Sequence, residues 1–195
     1  MRAVLASANP HKARELGDVL DGWEIEPLGA ALPEETGSTF SENARAKATF
    51  ARAVVGPDVL VLGEDSGLEV EALNGAPGVR SARYAGVGAS DADNVARLLA
   101  DLRNVPPERR AARFVAEIVC LLPGGGDVHV RGSLDGFIAF EPLGSDGFGY
   151  DPIFVPVGEQ ETVAELGAAW KREHSHRARA GSALVDSLGA RAESL

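Results

Sequence analysis

An α/β fold is expected, because short apolar strand runs alternate with capped helical segments along the chain. Three observations carry that expectation. Residues 3–7 form a short apolar run closed by Asn9-Pro10, a helix start. Val59-Leu60-Val61-Leu62 is a β-branched run leading straight into two acids, Glu64 and Asp65. Thr39-Phe40-Ser41-Glu42 and Thr162-Val163-Ala164-Glu165 are capping boxes, in which a side-chain oxygen and a glutamate satisfy the first unpaired amides of a helix.

In order, residues 3–7 read as the first strand, and the helix behind Asn9 carries Leu16, Val19 and Leu20 on one face. Residues 23–28 alternate as a second strand, and Glu34-Glu35-Thr36-Gly37 is a turn. The alanine-rich helix behind Thr39 runs to about Val55, with Asn43 and Lys47 one turn apart. Residues 59–62 are a strand, Gly63 and Gly67 punctuate a bend, and Leu68, Val70 and Ala72 alternate with Glu69 and Glu71 as a further strand. Ser90 caps a helix bearing Val95, Leu98, Leu99 and Leu102. Residues 113–122 and 128–131 pair as an antiparallel hairpin, and residues 136–140 and 153–155 are later strands. Ser175 caps the last helix.

At 195 residues the chain is long enough for a substantial core and is read as one domain over 1–195. A formal charge of −10 argues against a nucleic-acid partner or an anionic membrane surface, which would repel it. No apolar run approaches a membrane span and no secretory signal pattern opens the chain, so a cytoplasmic protein is expected. The single Cys120 cannot form an internal disulfide, and its apolar strand makes it a poor nucleophile. A small phosphorylated ligand remains compatible with the net charge, provided that a metal ion and placed cations reverse the local field.

The cations are few and well placed. Three lysines, Lys12, Lys47 and Lys171, stand against sixteen arginines. Ser7-Ala8-Asn9-Pro10-His11-Lys12 is a strand–loop–helix junction whose amides favour an anion. Lys12, in the first helical turn, opposes the helix dipole and so invites one. Lys47 fits either a solvated helix face or a ligand contact. Adjacent Glu64 and Asp65 repel unless a proton or a hard cation such as Mg2+ lies between them, although a solvated Glu-Asp-Ser-Gly turn fits the same residues. Residues 144–152 hold three glycines and two aromatics, either stacking on a flat ligand or tucking into the core. His176 and Arg177 give the last helix a cationic start.

Taken together, these segments resemble the inosine triphosphate pyrophosphatases, also called XTP/dITP diphosphatases. The resemblance rests on Ser7-Ala8-Asn9-Pro10-His11-Lys12, on residues 35–40 with Glu42-Asn43-Ala44, and on Asp65-Ser66-Gly67-Leu68. It continues in Gly75-Ala76-Pro77-Gly78 with Ser81-Ala82-Arg83-Tyr84, in residues 147–152, and in Ser175-His176-Arg177. It implies an elongated mixed sheet flanked by helices, with two lobes and a cleft between them, and a homodimer. It also implies Mg2+-dependent hydrolysis of non-standard purine nucleoside triphosphates (ITP, dITP, XTP) to the monophosphate and pyrophosphate. By that resemblance Asp65 is the general base and a metal ligand, with Glu34 or Glu35 as a further metal carboxylate and Lys12 catalytic. Ser7, Ala8, Asn9, Pro10, His11, Lys12, Lys47 and Ser66 hold the triphosphate. Phe148, Gly149, Tyr150, Asp151, Lys171, His176 and Arg177 form the base and sugar side. Glu64 stands where many relatives carry a second aspartate. Two other classes fit: a related pyrophosphatase for modified pyrimidine nucleotides, and a nucleotide-binding regulatory module without turnover.

Overall fold

Residues 60–70, read from the sequence as two strands about a bend, form one uninterrupted strand. The computed structural model describes residues 1–7 and 9–192. Its strands are β1 (Arg2–Ala6), β2 (Glu24–Pro27), β3 (Leu60–Val70), β4 (Ala111–Leu121), β5 (Asp127–Ile138) and β6 (Phe154–Pro156). Its helices are α1 (Pro10–Val19), α2 (Phe40–Val55), α3 (Asp91–Asp101), α4 (Val163–His174) and α5 (His176–Ala192). The strands form a single sheet in the order β2-β1-β3-β4-β5-β6. β1 is parallel to β2 and β3, whereas β6 is antiparallel to β5, so the sheet is mixed, as expected.

The helix starts follow the local chemistry. Asn9 accepts from the His11 amide at 2.9 Å and Pro10 opens α1. Thr39 with Glu42, Ser90 with Asp93 and Thr162 with Glu165 close three reciprocal capping boxes.

Two strand assignments need correction, and one physical cause covers both. Gly63 lies inside β3, and a Cβ there would come within 2.1 Å of the Ala44 carbonyl oxygen and 2.6 Å of the Ala48 amide of α2. Gly132 lies inside β5, fusing segments expected to be separate, and a Cβ there would meet the His176 oxygen at 2.1 Å and the Ala180 nitrogen at 2.3 Å of α5. These glycines let helix backbones close onto strands; they do not turn the chain.

Contacts divide the chain into two units. The first comprises residues 1–65, 116–132 and those from 176 onward. Strand alternation gives its portion of the sheet two apolar faces. Leu60 and Leu62 of β3 pack with Leu5, Ile118 and Cys120 beneath Leu16 and Leu20 of α1 and Ala180 and Leu184 of α5. Val61, on the opposite face, packs with Ala6 and Val119 against Ala44, Ala48 and Ala51 of α2. Burial pushes the Cys120 thiol up to about 12, in keeping with an unreactive core residue.

The second unit comprises residues 66–115 and 133–175. Leu68, Val70, Phe114, Leu134, Ile138 and Phe154 meet Val95 and Leu98 of α3 and Val163 of α4. Arg110 is buried there because three carbonyls, those of Leu102, Ile138 and Ala139, accept from its guanidinium at 2.8–2.9 Å. Among the described residues no helix is long and apolar enough to cross a membrane.

Candidate active site

The straightness of β3 decides the fate of its two acids. Consecutive strand residues point to opposite faces, so the Glu64 and Asp65 carboxylates do not clasp one cation between them. Each has its own.

Asp65 follows Val61 and Gly63 toward α2. The close approach that Gly63 permits brings in Asn43 and Lys47, one helical turn apart and both buried. Lys47 Nζ lies 2.8 Å from Asp65 Oδ1 and donates to the Glu64 carbonyl at 3.2 Å. Asn43 Nδ2 donates to Asp65 Oδ2 at 3.0 Å, and Asn43 Oδ1 accepts from the Gly37 amide at 2.8 Å. Glu35 forms an ion pair with the same Lys47 ammonium, whereas Glu34 is exposed. Two carboxylates therefore converge on one cation. Burial raises the Asp65 carboxyl above its ordinary range, outweighing the pull of Lys47 and Lys12. Burial works against the Lys47 ammonium too, but Asp65 and Glu35 more than compensate and hold it firmly charged.

Glu64 follows Leu60 and Leu62 to the other face, toward α1 and α5. Lys12 Nζ lies 2.8 Å from Glu64 Oε2. Arg177 donates to Glu64 Oε1 from Nε at 3.2 Å and from Nη2 at 3.0 Å, and its Nη1 pairs with Glu15. Burial alone would raise the Glu64 carboxyl. Lys12 and Arg177 outweigh it and hold Glu64 well below the usual range. Arg177, also fully buried, is held charged against burial by Glu64 and Glu15.

In the first unit the structure thus gathers two clusters: Glu35 and Asp65 on Lys47, and Lys12 and Arg177 on Glu64. Ser7 Oγ accepts from the Asn9 amide at 3.1 Å, which shapes the start of α1. Pro10 and His11 are exposed in the first helical turn, His176 is buried at the start of α5, and Ala8 lies outside the described residues. Glu15 had no signal in the sequence: it is an ordinary first-helix acid whose partner lies 162 residues away.

In the second unit, Ser66 is half-buried. Lys171 Nζ lies 2.6 Å from Asp151 Oδ2, which also accepts from the Phe148 amide at 2.9 Å. The same ammonium sits 4.3 Å from the centroid of the Phe148 ring. The two aromatics of this loop part company. Phe148 is half-buried, whereas Tyr150 tucks into the core and donates its hydroxyl to the Ser81 carbonyl at 2.9 Å. Tyr150 is therefore an anchor of the loop, and Phe148 is the ring left partly exposed.

Among the described residues, no three or more histidine, cysteine or acidic side chains gather as a ready metal site. Asp65 and Glu35 supply oxygen donors alone, a set suited to a hard dication that keeps waters or takes ligand oxygens.

Known proteins resemble this chain over nearly its whole length. The dITP/XTP pyrophosphatase of Nocardia farcinica is 47% identical over 201 residues, covering 98% of this chain and 97% of the relative. That of Mycobacterium tuberculosis is 47% identical over 196 residues, covering 96% and 95% respectively. Among solved structures, a HAM1 protein from Coxiella burnetii superposes with a TM-score of 0.86 at 39% identity, covering 97% of this chain and 99% of that one. A nucleoside-triphosphatase / dITP/XTP pyrophosphatase from Mycobacterium abscessus does so with a TM-score of 0.76 at 44% identity, covering 94% and 98%. A family model described as the Ham1 family matches residues 3–187, and with the relatives this near and this complete, the chain belongs to that family.

Proposed function

We propose that this chain hydrolyses non-standard purine nucleoside triphosphates, dITP, ITP and XTP, to the monophosphate and pyrophosphate, with Mg2+ as cofactor. The observation that carries the reading is the convergence of Asp65 and Glu35 on the Lys47 ammonium, on a scaffold shared with relatives named dITP/XTP pyrophosphatases. Asp65 and Glu35 would hold the ion, with substrate oxygens and water filling its shell. When bound, Mg2+ supplies charge neutralisation and makes a nearby water more acidic.

The chain's own groups do the rest. Asp65 accepts the proton of the attacking water as the water oxygen bonds to phosphorus and the α–β anhydride bond breaks. Burial makes Asp65 a stronger base than an exposed aspartate. Lys47 and Asn43 occupy one lone pair on each of its oxygens, which fixes its orientation and leaves two sites for metal and water. Lys12 and the amides opening α1 compensate the charge of the departing pyrophosphate. Ser7, Asn9, His11 and Ser66 belong to the phosphate side of this reading.

Base-side roles fall to Phe148, Gly149, Asp151 and Lys171, and to His176 and Arg177. Hypoxanthine and xanthine present a 6-keto acceptor where adenine presents a donor. A fixed N–H that pairs with the keto group is left unpaired against adenine, at about 1–3 kcal/mol per buried donor. Glu64 and Glu15 fix the direction of the Arg177 guanidinium. A homodimer belongs to the same reading, supported by the family resemblance, and sedimentation equilibrium tests it.

The deciding assay is pyrophosphate release from dITP with and without Mg2+. Stoichiometric pyrophosphate that disappears with chelator is the expected result. Orthophosphate in its place, or no turnover, would overturn the reading.

A further inference from the structure

We infer that Asp91, in the first turn of α3, is a positioning residue for the loop 147–151 of the second unit; this rests on the pyrophosphatase reading above. Asp91 Oδ2 accepts from the Gly149 amide at 2.6 Å, across 58 residues of sequence. The helix does not need Asp91 as its cap, because Ser90 and Asp93 already form the reciprocal pair. An acid in the first helical turn sits favourably in the helix dipole, which makes it a fixed, negatively charged acceptor for an amide of another segment.

The loop is pinned residue by residue. The Phe148 amide donates to Asp151 Oδ2 at 2.9 Å, and the same oxygen holds Lys171 at 2.6 Å. The Tyr150 hydroxyl is anchored on Ser81 at 2.9 Å. Gly149, in the left-handed region at φ +62°, is held by Asp91. Asp91 is thus the acceptor that fixes the backbone on the C-terminal side of Phe148, whose ring centroid lies 4.3 Å from the Lys171 ammonium, and without it that side of the loop loses its fixed direction. Asp91 acts through the loop and touches no reacting atom. It sets the shape of the platform that meets the base.

The test is steady-state hydrolysis of dITP by wild type, Asp91→Ala and Asp91→Asn, with inhibition by inorganic pyrophosphate measured in parallel. Asp91 is exposed, so these changes leave the core intact. For Asp91→Ala, KM rises on the order of tenfold, the scale of one lost hydrogen bond to a charged acceptor, with kcat within about twofold. Asp91→Asn keeps an oxygen acceptor and recovers most of the loss. The pyrophosphate inhibition constant stays at its wild-type value in both, because that ligand has no base. An unchanged KM in Asp91→Ala, an asparagine variant as impaired as alanine, or a parallel rise in the pyrophosphate constant would each overturn the inference. A wild-type chain inert toward dITP would instead overturn the pyrophosphatase reading, and this inference with it.

Discussion

Glu64 and Asp65 are consecutive, both acidic and both buried, yet the protein uses them in opposite ways. Glu64 faces α1 and α5, where Lys12 and Arg177 keep it ionised against the cost of burial. Asp65 faces α2, where burial outweighs the attraction of Lys47 and raises its affinity for a proton. One carboxylate is locked as an anion and the other is poised to change state. Adjacency in a strand is not shared environment: the pleat sends neighbours into different layers, and each layer imposes its own chemistry.

The two faces of β3 should differ most in what they contribute to stability. Glu64→Gln leaves a fully buried guanidinium with Glu15 alone and takes the countercharge from Lys12, so it should cost about 3 kcal/mol in unfolding free energy, the low end of the penalty for removing one partner of a buried ion pair. Asp65→Asn, with Glu35 still on Lys47, should cost less than half as much by the same denaturant titration. Equal losses in the two variants would mean that the two faces do not differ as described.

Catalysis should reverse the ranking. Asp65→Asn is expected to lower kcat for dITP by roughly two or more orders of magnitude, the scale of a lost general base, at unchanged fold by circular dichroism. Near-normal turnover would remove Asp65 from the role.

Stability against pH sharpens the contrast, because the signs differ. Glu64 titrates in the folded protein below its ordinary 4.5, so its stabilisation is fully present above that pH and is lost as pH falls below it. Asp65 titrates above its ordinary 3.8, so the folded state holds that proton more tightly and the associated stability is lost as pH rises through the folded value. In metal-free buffer below pH 4.5, Glu64→Gln should therefore flatten the fall in unfolding free energy by up to ~1.4 kcal/mol per pH unit. An acid limb as steep as that of wild type would locate the titrating group elsewhere.

Local chemistry explains which parts of this site were legible in the sequence. The capping boxes at Thr39 and Thr162 involve residues three apart, and both form as read; Ser90, read as a plain cap, also closes a reciprocal box with Asp93. The Asn43–Lys47 spacing fixed a shared helical face, although whether that face met water or Asp65 depended on the sheet beneath it. Glycine was ambiguous: Gly63 and Gly132 carry the same letter as a turn residue, but their function is the approach of α2 and α5. The pairing of Arg177 with Glu15 is set by tertiary packing between α1 and α5, and no local pattern encodes it. Glu64 and Asp65 looked like one acidic pair until an unbroken β3 assigned them to separate faces.

The smallest effect tests how far the Asp65 side extends. Glu34 and Glu35 are adjacent like Glu64 and Asp65, and they too diverge: Glu35 is half-buried on the Lys47 ammonium, whereas Glu34 is exposed. If Glu35 helps to hold the cofactor, Glu35→Gln should raise the Mg2+ concentration for half-maximal turnover of dITP several-fold, with kcat at saturating metal changed less, since a neutral amide is a poorer ligand for a hard dication than a carboxylate. Glu34→Gln, which alters the same net charge two atoms of backbone away, should leave that concentration within about twofold, because an exposed charge is screened by solvent and salt. Equal shifts in both variants would reduce the effect to bulk electrostatics. A shift confined to Glu35 would make side-chain direction, as on β3, the property that separates ligand from bystander.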